Sequence, residues 1–281
     1  MVTTSDRPAF VFVHGAWHNG ATWTEVVAEL ERRGHASIAN DLPGAGALAD
    51  NPASLTATPF DGDAFATEVS PNRATQDDRN AAVIDDVRAA ARLGDGRVVL
   101  VGHSLGGRTI SLVAEAVPDE VGAVVYLTAV LHPGDRKPPP QTPNRDMQSL
   151  FVGDFRAVEA FRMNVNTDEP ATLATLRQVF YNDLSDEQFA SALDRLTHSD
   201  EPLGIFTVPS NVTLERFGSV ERHYIRCLDD QALVPADQDA MIAAADEALG
   251  SATVVHDLAD GHSPFYSNPA DLADVLVTIA G

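Results

Sequence analysis

One stretch, residues 98–107, constrains the fold of this chain more than any other part of the sequence. It reads Val-Val-Leu-Val-Gly-His-Ser-Leu-Gly-Gly, and residues 109–114 continue with a helical pattern. A short apolar run that ends in glycine and precedes a helix predicts a buried strand that turns sharply at Ser104. The glycines two residues before and two residues after Ser104 lack the Cβ atoms that would clash where strand and helix pass close together. We therefore expect a serine hydroxyl lifted above the end of a central strand.

The Gly-x-Ser-x-Gly spacing is a weak signal in isolation, because a glycine-rich turn can also pack a helix closely or bind a phosphate. Dinucleotide-binding turns need Gly-x-Gly-x-x-Gly, and P-loops need Gly-x-x-x-x-Gly-Lys followed by Ser or Thr. The sequence contains neither pattern. The strand before Ser104 and the helix after it favour a serine nucleophile over a purely structural turn.

Composition limits the class of protein and its partners. The 281 residues, 44% of them hydrophobic, suffice for one large α/β core with an insertion. A net charge of -22 disfavours nucleic acids and anionic membranes as partners. Cys227, the single cysteine, cannot form an intramolecular disulfide, and neither a signal-peptide pattern nor an apolar run of roughly 18 residues is present. We expect a soluble, cytoplasmic protein with a small-molecule substrate, and the sequence is compatible with a homodimer.

Short apolar runs alternate with helical patterns along most of the chain. Besides the run before Ser104, strands are predicted at residues 9–13, 36–39, 123–127, 223–228 and 253–255. Helical spacing of apolar residues is found up to Gly34, up to Gly94, and again near residues 241–249 and 268–279. Strands that alternate with helices in this way predict an α/β fold with a doubly wound, mostly parallel sheet.

Two segments interrupt the alternation. Residues 45–75 show no sustained period, and so long a connection commonly borders an active site or is mobile. Residues 132–213 contain a proline run at 138–140 and short amphipathic pieces, one opened by a capping box at Ser185, but no clear strand. We predict a core formed by residues 1–131 and 214–281, with 132–213 inserted as a mainly helical lid over the carboxyl ends of the strands.

A serine nucleophile needs a base to take its proton and a carboxylate to orient that base. On a doubly wound sheet, these groups belong on loops after later strands, where the loop tips converge. Asp229 and Asp230 follow the strand at 223–228, and His262 follows the strand near residue 255. The residues themselves leave both aspartates open as the acid.

Several motifs together resemble the α/β-hydrolase superfamily. Within it they are most similar to the plant methyl esterases and hydroxynitrile lyases with their bacterial esterase relatives. The motifs are His-Gly-Ala-Trp at 14–17, Asp-Leu-Pro-Gly at 41–44, Gly-His-Ser-Leu-Gly-Gly at 102–107, Tyr-Ile-Arg-Cys at 224–227 with an aspartate three residues on, and Gly-His-Ser-Pro-Phe at 261–265. The resemblance covers the sheet-forming parts and is faint across residues 45–75 and the lid.

The resemblance implies a role for each matching residue. Ser104 corresponds to the nucleophile, His262 to the general base and Asp230 to the acid, which makes Asp229 the weaker choice. The backbone N–H groups of Leu105 and Ala16 correspond to the oxyanion hole. No cofactor and no metal ion are implied, and His14 and His18 lie in a loop without the His-Glu-x-x-His pattern of a zinc site.

One departure from the resemblance favours ester hydrolysis over the hydroxynitrile lyase reaction. Hydroxynitrile lyases of this branch carry a lysine directly after the histidine and a threonine in the first loop, where this chain has Ser263 and Gly15. We therefore expect a cofactor-independent serine hydrolase that cleaves a small carboxylic ester, such as a methyl ester, an aryl ester or a lactone, through an acyl-enzyme. The alternatives are a hydroxynitrile lyase-like or C–C bond-cleaving enzyme on the same triad, and a non-catalytic small-ligand receptor.

The remaining histidines and aromatic residues have plainer interpretations. His14 is expected to brace the oxyanion loop, and His103 is expected to form local hydrogen bonds. A set of aromatic residues either lines a substrate pocket or forms the core of the lid; it consists of Trp17, Phe151, Phe155, Phe161, Phe180 and Tyr181.

Overall fold

A computed structural model describes residues 6–131, 142, 144–164 and 169–281. The strands are β1 Ala9–Val13, β2 Ser37–Ile38, β3 Val98–His103, β4 Ala123–Leu127, β5 Ala160–Arg162, β6 Asp200–Pro202, β7 Glu221–Cys227 and β8 Val254–Leu258. The α-helices are α1 Thr24–Arg32, α2 Gly62–Thr67, α3 Gln76–Ala91, α4 Gly106–Ala116, α5 Arg145–Ser149, α6 Pro170–Phe180, α7 Asp186–Asp194, α8 Leu203–Thr207, α9 Pro235–Leu249, α10 Pro264–Ser267 and α11 Pro269–Ala280. None of the helices in the described part of the chain has the length and apolar character that a membrane span requires.

The main sheet is parallel throughout and has six strands in the order β2-β1-β3-β4-β7-β8. This confirms the predicted α/β fold with a doubly wound sheet. The strand order reverses between β1 and β3, where Val13 pairs with Gly102. Loops that follow these two strands leave the sheet in opposite directions, which opens a crevice at their carboxyl ends. The loop after β1 and the turn after β3 consequently lie side by side.

Successive side chains of a strand point to opposite sides of the sheet, and in the central strands β1, β3 and β4 the side chains on both sides are buried. Phe10 and Phe12 of β1 pack on one face with α1 and α11, while Val11 and Val13 pack on the other with α3, α4 and α9. Strands buried on both faces read as continuous apolar runs, which is why the sequence predicted them. The α1 helix ends before Gly34, whose φ of +84° fits the left-handed position that commonly terminates a helix.

The predicted lid contains a feature that the sequence analysis missed. β5 and β6 form a separate two-stranded antiparallel sheet, so the expectation of no clear strand in this segment is wrong. These strands are short and carry charges, and their charges are buried only because they are paired: Arg162 binds Asp200 with two 2.7 Å hydrogen bonds. Apolar periodicity does not detect such a pair. The proline run at 138–140 lies outside the described residues.

The segment 45–75 is packed against the predicted lid. It contains 3-10 turns at Gly46–Leu48 and Ala53–Thr56 and the α2 helix. The guanidinium of Arg162 donates to the backbone carbonyls of Phe65 and Glu68 in this segment. These bonds join the long excursion to the small β5–β6 sheet. The division of the chain into core and lid at residues 132 and 213 stays a prediction.

Candidate active site

Ser104 occupies a strained turn between β3 and α4. Its φ of +49° lies in the left-handed region that residues with a side chain rarely adopt. The flanking glycines make the turn sterically feasible. A Cβ at Gly106 would lie 2.6 Å from the carbonyl oxygen of Val13, and one at Gly102 would lie 2.9 Å from the carbonyl oxygen of Gly106. The strand, turn and helix predicted from the sequence are present, with the serine at the apex.

His262 and Asp230 meet at the ends of β8 and β7. His262 Nδ1 donates to Asp230 Oδ2 over 2.7 Å, and both side chains are buried. The carboxylate also accepts hydrogen bonds from the Thr128 hydroxyl and from the backbone N–H groups of Ala232 and Leu233. Four donors therefore fix its orientation towards the imidazole. Asp229 is exposed, so the geometry selects Asp230 from the two aspartates left open by the sequence.

Ser104 and His262 line the same cavity, which has a volume of about 520 Å³. Because Nδ1 of His262 is bonded to Asp230, Nε2 is the ring nitrogen left to accept a proton from the serine. The structure gives no hydrogen bond between Ser104 and His262 in the part of the chain that it describes. Such contacts are commonly long without substrate and tighten in the reacting complex.

Two residues that line the cavity near Ser104 have unpaired backbone N–H groups. They belong to Ala16 in the loop after β1 and to Leu105 in the turn after β3, and both residues line the cavity. Among the described residues, no oxygen or nitrogen accepts a hydrogen bond from either N–H. Unpaired N–H groups at a cavity wall can donate to a developing oxyanion.

A buried carboxylate fixes the loop that carries Ala16. Glu201 of β6 accepts the backbone N–H of Trp17 over 2.9 Å, and Trp17 has a φ of +60°. The second oxygen of Glu201 accepts from Arg79 over 2.8 Å, and both of these charged side chains are buried. Burial alone would raise the pKa of Glu201, but the charge of Arg79 and a hydrogen bond from His198 lower it to about 2. No motif in the sequence marks Glu201. Its contact with the loop after β1 is visible only in the structure, where the predicted lid packs against the sheet.

Neutral histidines hold both ends of the same loop. His14 donates from Nδ1 to the Gly15 carbonyl and accepts the Leu42 N–H at Nε2, so it braces the loop as expected. His18 donates from Nδ1 to the Ala16 carbonyl over 2.8 Å, and its Nε2 accepts the Tyr181 hydroxyl. Burial lowers the pKa of His14 to about 3 and that of His18 to about 4. Each ring can donate at one nitrogen and accept at the other only in this uncharged form.

His103 does not form the local hydrogen bond expected from its place in the turn. Its Nε2 donates to the backbone carbonyl of His262 over 2.9 Å and so links the turn after β3 to the loop after β8. Burial lowers the pKa of His103 well below its usual range. The His103 ring also explains Gly15: a Cβ at position 15 would lie 2.8 Å from His103 Nδ1 and 2.9 Å from Ser104 Cβ.

The cavity is lined by strand-end residues on one side and by residues of the predicted lid on the other. Of the candidate aromatic residues, Trp17, Phe151 and Phe180 border the cavity, together with Phe206, which the sequence analysis did not single out. Phe155, Phe161 and Tyr181 do not border it and pack within the lid and against its neighbours. In the described ranges, no group of three or more His, Cys, Asp or Glu side chains is arranged to hold a metal ion.

Comparisons with known proteins agree with this architecture. A sequence profile described as "Alpha/beta hydrolase family" matches residues 10–275. The chain belongs to this family. It is 32% identical over 281 residues to "Probable esterase PIR7A" of Oryza sativa subsp. indica, with 96% of each chain covered. It is 31% identical over 280 residues to "Pyrethroid hydrolase" of Sphingobium wenxiniae, covering 96% of this chain and 86% of the relative.

The relatives also include "Putative methylesterase 14, chloroplastic" of Arabidopsis thaliana, 25% identical over 280 residues, with 96% of this chain and 71% of the relative covered. Among solved structures, "a Novel Pyrethroid Hydrolase from Sphingobium faniae JZ-2" superimposes with a TM-score of 0.73 at 27% identity, covering 97% of both chains. These similarities confirm the plant methylesterase-like branch of the family, with its bacterial esterase relatives, which the motifs indicated.

Proposed function

We propose that this chain hydrolyses a small carboxylic ester through a covalent acyl-enzyme on Ser104. Its relatives support the coarser statement that it is an ester-cleaving hydrolase. The observation that carries the finer proposal is the shared cavity. Ser104, the imidazole of His262 held by Asp230, and the unpaired N–H groups of Ala16 and Leu105 all border or support this one space.

Each of these groups has a defined task in the proposed reaction. Ser104 Oγ attacks the ester carbonyl carbon while His262 Nε2 takes the hydroxyl proton, and Asp230 holds the Nδ1–H of the resulting imidazolium. The N–H groups of Ala16 and Leu105 donate to the tetrahedral oxyanion. The C–O bond to the alcohol then breaks, and His262 returns the proton to the departing oxygen. Water, deprotonated by His262, then attacks the acyl carbon. The bond between that carbon and Ser104 Oγ breaks, Oγ takes the proton from His262, and the acid leaves.

The cavity limits the size and character of the substrate. Its volume of about 520 Å³ is within the range of small-molecule sites, and aromatic and aliphatic side chains dominate its wall. A small methyl ester, aryl ester or lactone suits this space. A cytoplasmic location and assembly as a homodimer stay predictions from the sequence.

The contacts around Gly15 and Ser263 disfavour a hydroxynitrile lyase. The resembling lyases have a threonine at position 15, but here His103 and Ser104 fill the space that its Cβ would need. At position 263 a buried serine replaces the lysine, so that the cation for a departing cyanide is missing at this position. The Asp230–His262 pair also disfavours a non-catalytic receptor, because such a receptor would not need this pair.

The test combines a mechanism-based probe with a substrate panel. A fluorophosphonate should label Ser104 in the wild-type protein, and peptide mass spectrometry should locate the adduct on that residue. Methyl esters, aryl acetates and lactones should be screened for hydrolysis, with mandelonitrile as the probe for cyanide release. Ser104→Ala should fold normally and lose activity by on the order of a millionfold in kcat if chemistry limits turnover.

Three outcomes would contradict the proposal. Near-wild-type ester turnover by Ser104→Ala would remove the serine from the mechanism. Cyanide release without ester hydrolysis would favour the lyase. A binding protein would be indicated if the wild-type chain failed to react with the fluorophosphonate and hydrolysed none of the esters.

A further inference from the structure

Arg108 places a positive charge at the wall of the cavity. It lies on α4 four residues after Ser104, and it borders the same cavity. Side chains of a helix tilt towards its N-terminus, so a residue at this spacing reaches back over the turn that contains the serine. Its guanidinium is therefore close to the position where the proposed substrate would be held.

The hydrogen bonds of Arg108 are incomplete. Nη1 donates to the backbone carbonyl of Val208, but Nε is buried and has no hydrogen-bond partner among the described residues. No described residue accepts a hydrogen bond from Nη2. Burial lowers the pKa of Arg108. A buried donor without a partner is costly, and a ligand that supplies an acceptor would remove this cost.

The absence of a counter-charge distinguishes Arg108 from the other buried or half-buried arginines in the described part of the chain. Among the described arginines that are buried or half-buried, each of the others forms an ion pair with a carboxylate; these are Arg33, Arg79, Arg162, Arg177, Arg195, Arg222 and Arg226. The chain has 41 acidic residues to 19 Lys and Arg, so an unpaired arginine is not due to a shortage of carboxylates.

Of the described residues that line the cavity, Asp237 carries an acidic side chain, and this side chain already has hydrogen-bond partners. Asp237 accepts hydrogen bonds from the backbone N–H and the hydroxyl of Thr142, at 2.9–3.0 Å, and forms no ion pair with Arg108. The guanidinium therefore keeps its capacity for an incoming anion. A planar guanidinium suits a carboxylate because its N–H groups can bind both oxygens.

We propose that Arg108 binds a carboxylate carried by the substrate, so that the preferred esters are anionic, such as the half-esters of dicarboxylic acids. This inference rests on the proposed ester hydrolysis at Ser104. Arg108 is the specificity-determining residue: it holds the free carboxylate while Ser104 attacks the ester carbonyl elsewhere on the same molecule.

Two pairs of chromogenic esters test the inference, each pair differing by one charge. p-Nitrophenyl hydrogen adipate and its methyl ester place the charge on the acyl side; 4-acetoxybenzoate and its methyl ester place it on the leaving group. The wild-type protein should prefer the anionic member of at least one pair by on the order of tenfold or more in kcat/KM. Arg108→Met should reduce that ratio to about one, and Arg108→Lys should give an intermediate ratio because it keeps the charge but loses the planar fork.

Arg92→Met is the matched control, because Arg92 is exposed at the C-terminal end of α3 and is not one of the residues that line the cavity. It should keep the wild-type ratio. Thermal melts of each variant separate loss of specificity from loss of folding. A wild-type protein without preference in either pair, or a preference that survives Arg108→Met, would overturn the inference while leaving ester hydrolysis intact.

A binding measurement keeps the inference testable if turnover fails. In the Ser104→Ala background, calorimetry should show p-nitrophenyl hydrogen adipate or 4-acetoxybenzoate binding at least tenfold more tightly than its methyl ester, and Arg108→Met should abolish that difference. If the wild-type protein hydrolyses no ester but this binding difference is present, the proposed hydrolysis fails and the carboxylate site stands. If the esters are hydrolysed but the binding difference is absent, the carboxylate site fails and the proposed hydrolysis stands.

Discussion

At the scale of single residues, Asp229 and Asp230 show how adjacent identical side chains can have different surroundings. Asp230 is buried with four donors around its carboxylate, one of them His262. Asp229 is exposed, and its backbone N–H donates to the Asp260 carbonyl. Substitutions at these two adjacent positions therefore compare a carboxylate that binds His262 with one that does not.

Asp230→Asn should lower kcat by about 10⁴-fold, because an amide can donate to His262 Nδ1 and so select the wrong imidazole tautomer. Asp229→Asn should keep near-wild-type kcat. Steady-state kinetics on one hydrolysed ester, with thermal melts of both variants, measures the difference. Equal losses in the two variants would contradict the assignment of the acid.

The motif at 102–107 and the order of serine, aspartate and histidine predicted where the site residues lie in the chain, because those residues sit at strand ends where the fold leaves little freedom. The choice between the two aspartates could not be made from local sequence alone, since it depends on which carboxylate faces a histidine 32 residues further on. Local sequence also could not predict the hydrogen-bond partner of His103, which is the carbonyl of His262, 159 residues away.

At the scale of elements, the small β5–β6 sheet connects the predicted lid to the loop after β1 that carries Ala16. Glu201 of β6 accepts the N–H of Trp17, the residue after Ala16. Sequence patterns predicted the central strands because those strands are apolar on both faces. They missed β5 and β6 because three-residue strands whose charges are neutralised by distant partners have no apolar period. The predicted end of one strand was wrong for a related reason. The sequence analysis predicted a strand at 253–255, but β8 extends through His256 and Asp257, whose polar side chains interrupt the apolar run.

Glu201→Gln should lower kcat about tenfold or more and change KM little. Glutamine has one acceptor oxygen where Glu201 has two, so it cannot accept from both the Trp17 N–H and Arg79. If that oxygen turns to the charged Arg79, the Ala16 N–H loses its orientation towards the oxyanion but not its access to substrate. The substitution also leaves Arg79 buried without its counter-charge, which costs about 3–5 kcal/mol of stability. Kinetics should therefore be measured well below the melting temperature of the variant.

Two comparisons separate positioning from stability in this experiment. Arg79→Gln breaks the same buried ion pair but keeps the carboxylate that accepts the Trp17 N–H, so it should lower the melting temperature with a smaller loss of kcat. Glu159→Gln alters an ion pair with Arg73 whose side chains are 56% and 61% exposed, and it should affect neither quantity. An unchanged kcat in Glu201→Gln would exclude the positioning role.

At the scale of the whole molecule, the net charge of -22 and the buried histidines act on stability in different ranges of pH. Protonation of carboxylates relieves the repulsion between negative charges, but mainly below about pH 5. His14, His18 and His103 have lowered pKa values in the folded chain, against 6.5 for an ordinary histidine. Between about pH 6.5 and pH 5, the histidines therefore dominate the pH dependence.

The sign of this effect follows from proton binding. Below pH 6.5 the unfolded chain takes up protons on these histidines, whereas the folded chain keeps them neutral, with pKa values of about 3 for His14 and about 4 for His18. The stabilisation is complete above pH 6.5 and is lost as the pH falls towards these folded values. Each buried histidine contributes a slope of about 1.4 kcal/mol per pH unit within that window.

His18→Gln should reduce the pH dependence of folding by the equivalent of one proton. The glutamine amide can still donate towards the Ala16 carbonyl and accept from Tyr181, but it does not titrate. Urea unfolding at pH 7.0, 6.0 and 5.0 should give free energies that fall less steeply for the variant, by about 1.4 kcal/mol per pH unit below pH 6.5. Parallel slopes for the two proteins would mean that His18 is protonated in the folded chain, and its hydrogen bond from the Tyr181 hydroxyl could then not exist.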